Sequence, residues 1–120
     1  MAEIQTYLDV LPTARHEDDA LILTLTGEID LHTSPDLRTT LLSLIQQTQP
    51  KNIIFVLSKV PYMDSSAIAV MVETLQRVRK SGGKVVLVDL QPRVKGLLEI
   101  ARLNTIFHIV STLDEARKLK

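Results

Sequence analysis

The five residues Ile53-Ile54-Phe55-Val56-Leu57 are an unbroken apolar run of strand-forming side chains. That is the pattern of a parallel strand covered on both faces, and parallel strands need long crossovers, usually helical, to join them. One such crossover follows directly: Ile68, Met71, Val72, Leu75 and Val78 recur at helical spacing and define an apolar stripe. Between strand and helix lies Tyr62-Met63-Asp64-Ser65-Ser66, a carboxylate and two hydroxyls at the helix entry. Asp and Ser are preferred helix N-caps, so a plain cap accounts for them. The same position gathers unpaired backbone N–H groups and the positive end of the helix dipole, which also suit a phosphate. Ala67 and Val70 follow Ser66 on the polar side of the helix, ahead of Glu73, Thr74 and Arg77. Small apolar side chains there predict a docking surface.

The rest of the chain alternates strand and helix signals, the signature of successive β-α units. Leu21-Ile22-Leu23-Thr24-Leu25 reads as a strand. Glu17-Asp18-Asp19 reads as the turn of a hairpin with an earlier strand near Asp9–Arg15, which Pro12 confines to a sheet edge. Ser34-Pro35 opens a helix with the stripe Leu37, Leu41, Leu44 and Ile45, ending before Pro50. The second helix runs from about Ser65 to Lys80, and Gly82-Gly83 supplies a left-handed exit into Val85-Val86-Leu87-Val88. A third helix follows Pro92 with Val94, Leu97, Leu98 and Ala101, ending near Asn104. Ile106–Val110 supplies a last strand, and Thr112 with Glu115 forms a capping box for a short final helix. Right-handed crossovers are expected to put the helices on one face of the sheet.

A length of 120 residues suits one domain with a modest core. No cysteine is present, which excludes disulfides, thiol nucleophiles and thiolate metal sites. The start Met1-Ala2-Glu3-Ile4 lacks the features of a secretory signal, and no apolar run approaches the roughly 20 residues of a bilayer span. A cytoplasmic location without membrane insertion is the expectation. Residues 1–50 carry two basic and eight acidic side chains, and residues 51–120 carry twelve and six, giving −6 and +6. That asymmetry can orient a protein partner. The bases are dispersed and only four residues are aromatic, so direct nucleic-acid binding has little support.

Asp64-Ser65-Ser66-Ala67-Ile68-Ala69 resembles the Asp-Ser-Ser-Gly-Leu-Gly signature of STAS-domain anti-sigma factor antagonists. Leu25-Thr26-Gly27-Glu28-Ile29-Asp30 is similar to that family's Gly-Glu-Leu-Asp loop before the first helix. Ser81-Gly82-Gly83-Lys84 and Pro92, Val94 and Leu97-Leu98 resemble its last two turns. Together these motifs run from about Arg15 to the C-terminus, and their joint order is more specific than any one of them. Alanine stands at Ala67 and Ala69 where the family signature has glycine.

The resemblance implies one STAS domain over residues 1–120: a right-handed β/α superhelix with a mainly parallel sheet, an N-terminal edge strand and about four helices. It implies a phosphoprotein in a partner-switching circuit that regulates transcription. By the same resemblance, Ser65 is the expected target of an anti-sigma factor serine kinase, with a phosphatase to reset it. Asp30, Asp64, Ser66, Ala67 and Val70 are the implied partner contacts, with the Asp30 loop beside the phosphorylation site.

Other chemistries lack their residues. Neither a Walker sequence nor Gly-x-Gly-x-x-Gly occurs, so no cofactor is expected and any phosphate must come from a partner. Ser65 has no Gly-x-Ser-x-Gly elbow, and the chain is read as no enzyme. A phosphoacceptor receiver domain is the nearest competitor, and the spacing of Glu28 and Asp30 does not exclude it. No lysine directly follows Ile106–Val110, however, and the hydroxyls beside Asp64 favour the STAS reading. His16, His32 and His108, read as two loop residues and one on a sheet face, have no metal-ligand spacing. The alternative function on the same fold is a scaffold or accessory subunit of a stress-signalling complex or membrane transporter, without serine phosphorylation. A large stable assembly favours the scaffold; a monomer or weak homodimer that binds a kinase favours the antagonist.

Overall fold

The computed structural model describes residues 2–119. Six strands and four helices follow in the order β1 (Ala2–Leu8), β2 (Leu11–Glu17), β3 (Ala20–Thr26), α1 (Ser34–Thr48), β4 (Asn52–Lys59), α2 (Ser65–Arg79), β5 (Val85–Val88), α3 (Pro92–Ile100), β6 (His108–Val110) and α4 (Leu113–Lys118). The strands lie side by side in chain order in one sheet. β1, β2 and β3 are antiparallel neighbours, and β3 to β6 are parallel.

Register explains how both faces of the central strands are buried. Leu23, Phe55 and Leu87 stand opposite one another across β3, β4 and β5 and point into the main core, with Leu37, Leu41, Met71, Leu75, Val94 and Leu98 from α1, α2 and α3. The alternate row, Ile22, Ile54 and Val86, joins a second cluster with Ala116 of α4. Each strand therefore needs apolar residues at successive positions, and its apolar run is continuous rather than alternating. The expectation of helices on one face holds for α1, α2 and α3 but not for α4. Among the described residues that helix joins no pair of parallel strands, so the crossover rule does not govern its side.

The first strand is also corrected. β1 is the edge, and β2, which carries Pro12, is paired on both sides. Pro12 is tolerated because it sits where the β1–β2 register shifts, between the Gln5–Thr13 and Leu8–Leu11 pairs, while pairing with β3 begins only at Thr13. A bulge is one of the few places in a sheet for a residue without an N–H. His16 lies within β2 rather than in a turn.

The remaining boundaries follow local chemistry. Gly82 adopts φ 77° at the exit of α2, as its sequence position requires. At α4 the Thr112 hydroxyl accepts from the Glu115 N–H at 3.2 Å. No helix among the described residues is long and apolar enough to cross a membrane.

Candidate functional site

Two loops meet at the C-terminal ends of β3 and β4, and backbone hydrogen bonds join them. Beyond the last paired residues of the two strands, Gly27 donates to the Lys59 carbonyl at 3.0 Å and Ile29 to the Tyr62 carbonyl at 3.1 Å. Asp64 donates back to the Ile29 carbonyl at 3.1 Å, so Ile29 and Met63 form a further parallel bridge. Buried Ile29 and Met63 anchor that bridge in the core. The Glu28–Asp30 loop and the Asp64–Ser66 helix entry are thereby held side by side.

Asp64 is the N-cap of α2. Its Oδ1 accepts from the Ser66 N–H at 2.9 Å and from the Ser66 hydroxyl. Its Oδ2 reaches across to accept from the Leu31 N–H at 3.2 Å. The Ser66 hydroxyl, with backbone N–H groups of Ser66, Ala67 and Leu31, outweighs desolvation and holds the Asp64 carboxyl below the usual carboxylate range. Asp30 organises the facing loop: its Oδ1 accepts from the His32 N–H at 2.9 Å, and its carbonyl accepts from the N–H groups of Thr33 and Ser34.

The two serines differ sharply. Ser66 Oγ donates to Asp64 and accepts a 2.8 Å bond from the hydroxyl of Ser34, which is 4 % exposed at the start of α1. Ser65 is exposed, in the first turn of α2. Its hydroxyl is the one free to meet a second molecule.

The seam that begins at Ser34 and Ser66 continues down the two helices. Arg38 of α1 makes a bidentate pair with Glu73 of α2 at 2.6 and 2.8 Å, with Arg77 at 3.9 Å from the same carboxylate. The Arg38 hydrogen bond holds the Glu73 carboxyl below its usual range. This seam corrects one sequence expectation. Ala67 and Val70 are 2 % and 6 % exposed, in the main core, and offer no docking surface. The polar side of α2 on which they were expected is the side that α1 covers. Asp30, Asp64, Ser65 and Ser66 do come together at the loop junction.

Neither Ala67 nor Ala69 has a positive φ, so glycine is not required at either for backbone reasons. No sequence signal singles out Leu31, and Ser34 reads only as a helix opener. Arg93 lies 5.0 Å from the Tyr62 ring centroid and packs beside the β4–α2 junction. No group of three or more His, Asp or Glu side chains is placed to hold a metal ion among the described residues.

A parallel β/α sheet with an N-terminal antiparallel pair, and a capped Asp-Ser-Ser helix entry bridged to the preceding loop, define the class of protein. The STAS domain family model matches residues 12–116, and the chain belongs to that family. It is 33% identical over 94 residues to the anti-sigma F factor antagonist of Paenibacillus polymyxa, covering 78% of this chain and 80% of that protein. It is 34% identical over 95 residues to the anti-sigma-B factor antagonist of Bacillus subtilis, covering 79% and 85%. The fold is that of the anti-sigma factor antagonist SpoIIAA in its unphosphorylated form, with a TM-score of 0.77 at 21% identity over 87% of this chain and 90% of the other.

Proposed function

We propose that this chain is an anti-sigma factor antagonist, one cytoplasmic STAS domain over residues 1–120, switched by phosphorylation of Ser65. Unphosphorylated, it binds an anti-sigma factor kinase and frees the sigma factor that the kinase had held. The kinase's ATP supplies the γ-phosphoryl group: Ser65 Oγ gives up its proton, bonds to phosphorus, and ADP leaves. A phosphatase hydrolyses the phosphoserine and restores the binding form. The chain itself is a substrate and not an enzyme.

The observation that carries this reading is the contrast between neighbouring serines, one exposed and the other tied to Asp64 and Ser34. The names of the relatives reported above support the class of partner. Within the site, Asp30 and Ser65 meet the kinase, and Asp64 and Ser66 hold the shape of the junction. Ala67 and Val70 act only from within the core.

The test is titration of the purified chain with the anti-sigma factor kinase of its own organism, before and after incubation with ATP. Tight binding before, loss of binding after, and a single phosphate on Ser65 are expected. Binding without any phosphorylation favours the scaffold function instead.

A further inference from the structure

We propose that Leu31 is the apolar anchor by which this chain recognises its protein partner, and that the partner presents an apolar pocket rimmed by lysine or arginine. The proposal rests on the antagonist reading above and specifies how that contact is made.

An exposed leucine alone signals nothing, because much of any protein surface is apolar. Leu31 differs by its place. Among the described residues three large hydrophobic side chains are exposed, Leu31 at 73 %, Ile100 at 84 % and Ile109 at 36 %. Ile109 belongs to the edge strand β6. Ile100 ends α3, which starts at the C-terminal end of the sheet and runs back toward the opposite end. Only Leu31 sits on the loop bonded to the helix entry that bears Ser65.

Its backbone is held on both sides while its side chain is left in solvent. The Leu31 N–H is bonded to Asp64 Oδ2, and the next N–H, of His32, to Asp30 Oδ1. The turn is closed by bonds from Thr33 and Ser34 to the Asp30 carbonyl, and by the Thr33 hydroxyl accepting from the Asp30 N–H. Because the backbone of the turn is already held, docking costs only the ordering of the side chain, and binding energy is not spent on ordering the loop. A few well-buried residues carry most of the energy in protein interfaces; leucine is a less common choice than Trp, Tyr or Arg, so the case for Leu31 rests on its place and not on its type.

Charge identifies the partner's chemistry. From Gly27 to Leu37 the chain carries Glu28, Asp30 and Asp36 and no lysine or arginine, and the Asp64 carboxylate adjoins the same turn. Lys59 and Arg93 lie at the neighbouring end of β4 and the β4–α2 junction, outside this turn. An apolar tip on an acidic turn fits an apolar pocket flanked by basic groups, and opposed charges speed encounter and exclude acidic surfaces.

The experiment measures dissociation constants for the anti-sigma factor kinase with the parent chain, Leu31→Ala and Ile100→Ala at several salt concentrations. Leu31→Ala is expected to bind roughly tenfold or more weakly, with an unchanged thermal midpoint because the side chain packs on little within the free protein. Ile100→Ala is expected to bind like the parent, and the parent to weaken steadily as salt rises. Equal binding by Leu31→Ala and parent overturns the anchor and leaves the antagonist function standing. Salt-insensitive parent binding overturns the basic rim. No binding by the parent chain at any salt overturns both the function and the anchor.

Discussion

The Ser34 hydroxyl at the start of α1 donates to the Ser66 hydroxyl at the start of α2, and Ser66 donates in turn to the Asp64 carboxylate. This relay ties two helix entries, 32 residues apart in the chain, to one anion. Ser34→Ala removes the first link and leaves Asp64 still bonded to Ser66. It should cost about 0.5–1.5 kcal/mol, the usual net worth of such a bond. Ser66→Ala removes both links and strands the buried Ser34 hydroxyl, so it should cost more. Urea denaturation of the two variants checks the order: an equal or reversed ranking would show that the Ser66–Asp64 link adds nothing to the first bond, and parent-like stability of both would show that the relay contributes nothing.

Asp64 should make the site acid-sensitive. Its folded carboxyl titrates below the usual range, chiefly because of the Ser66 hydroxyl, so the folded state favours the ionised form. The resulting stabilisation is present above the ordinary carboxylate range and is lost as pH falls through that range toward the depressed folded value. Asp64→Asn can still cap the helix but carries no charge. Thermal midpoints measured across the acid range should therefore fall less steeply in Asp64→Asn than in the parent. Parallel curves would place the acid sensitivity elsewhere.

Much of this architecture is legible in the sequence because its signals are local. The strand at Ile53–Leu57, the cap at Asp64 and the Pro35 helix start depend on neighbours a few residues away. The Ser34–Ser66 bond, the Leu31–Asp64 bond and the Arg38–Glu73 pair join distant segments, and no local pattern encodes them. The misplacement of Ala67 and Val70 has the same origin. A helix packed on a sheet alone has one buried stripe, but α2 is covered by the sheet and by α1, so its buried arc widens to include them. Periodicity reports the first partner and not the second.

Two glycines should respond oppositely to alanine. A Cβ on Gly83 would lie 1.7 Å from the Lys51 carbonyl oxygen, a backbone atom that cannot step aside. Gly83→Ala should destabilise the fold by about 1–3 kcal/mol or more, as overpacking does. A Cβ on Gly96, inside α3, meets nothing within 4 Å. Gly96→Ala should stabilise by roughly 0.5–1 kcal/mol, since glycine is the more costly residue in a helix interior. Melting curves decide both signs.

Phosphorylation should fall on Ser65 alone and abolish partner binding without unfolding the domain. Ser65 is exposed, whereas attack by Ser66 Oγ would require breaking its bonds to Asp64 and Ser34. The phosphate adds roughly −1.5 to −2 charges at neutral pH. In the kinase complex those charges would face the nucleotide phosphates from which the group came, with the Asp64 carboxylate behind them. Repulsion, bulk and desolvation all oppose docking there. The first turn of α2 offsets part of this in the free chain, by typically ~0.3–1 kcal/mol for an exposed anion. A hundredfold loss of affinity needs only about 2.8 kcal/mol. Ser65→Ala should keep its stability within about 0.5 kcal/mol of the parent, bind the kinase constitutively and accept no phosphate. Ser65→Asp should bind poorly with an unchanged circular dichroism spectrum, and Ser66→Ala should still be phosphorylated at Ser65. Mass-spectrometric mapping after incubation with the kinase and ATP is the deciding measurement: phosphate on Ser66 in the parent chain would reverse the assigned roles of the two serines.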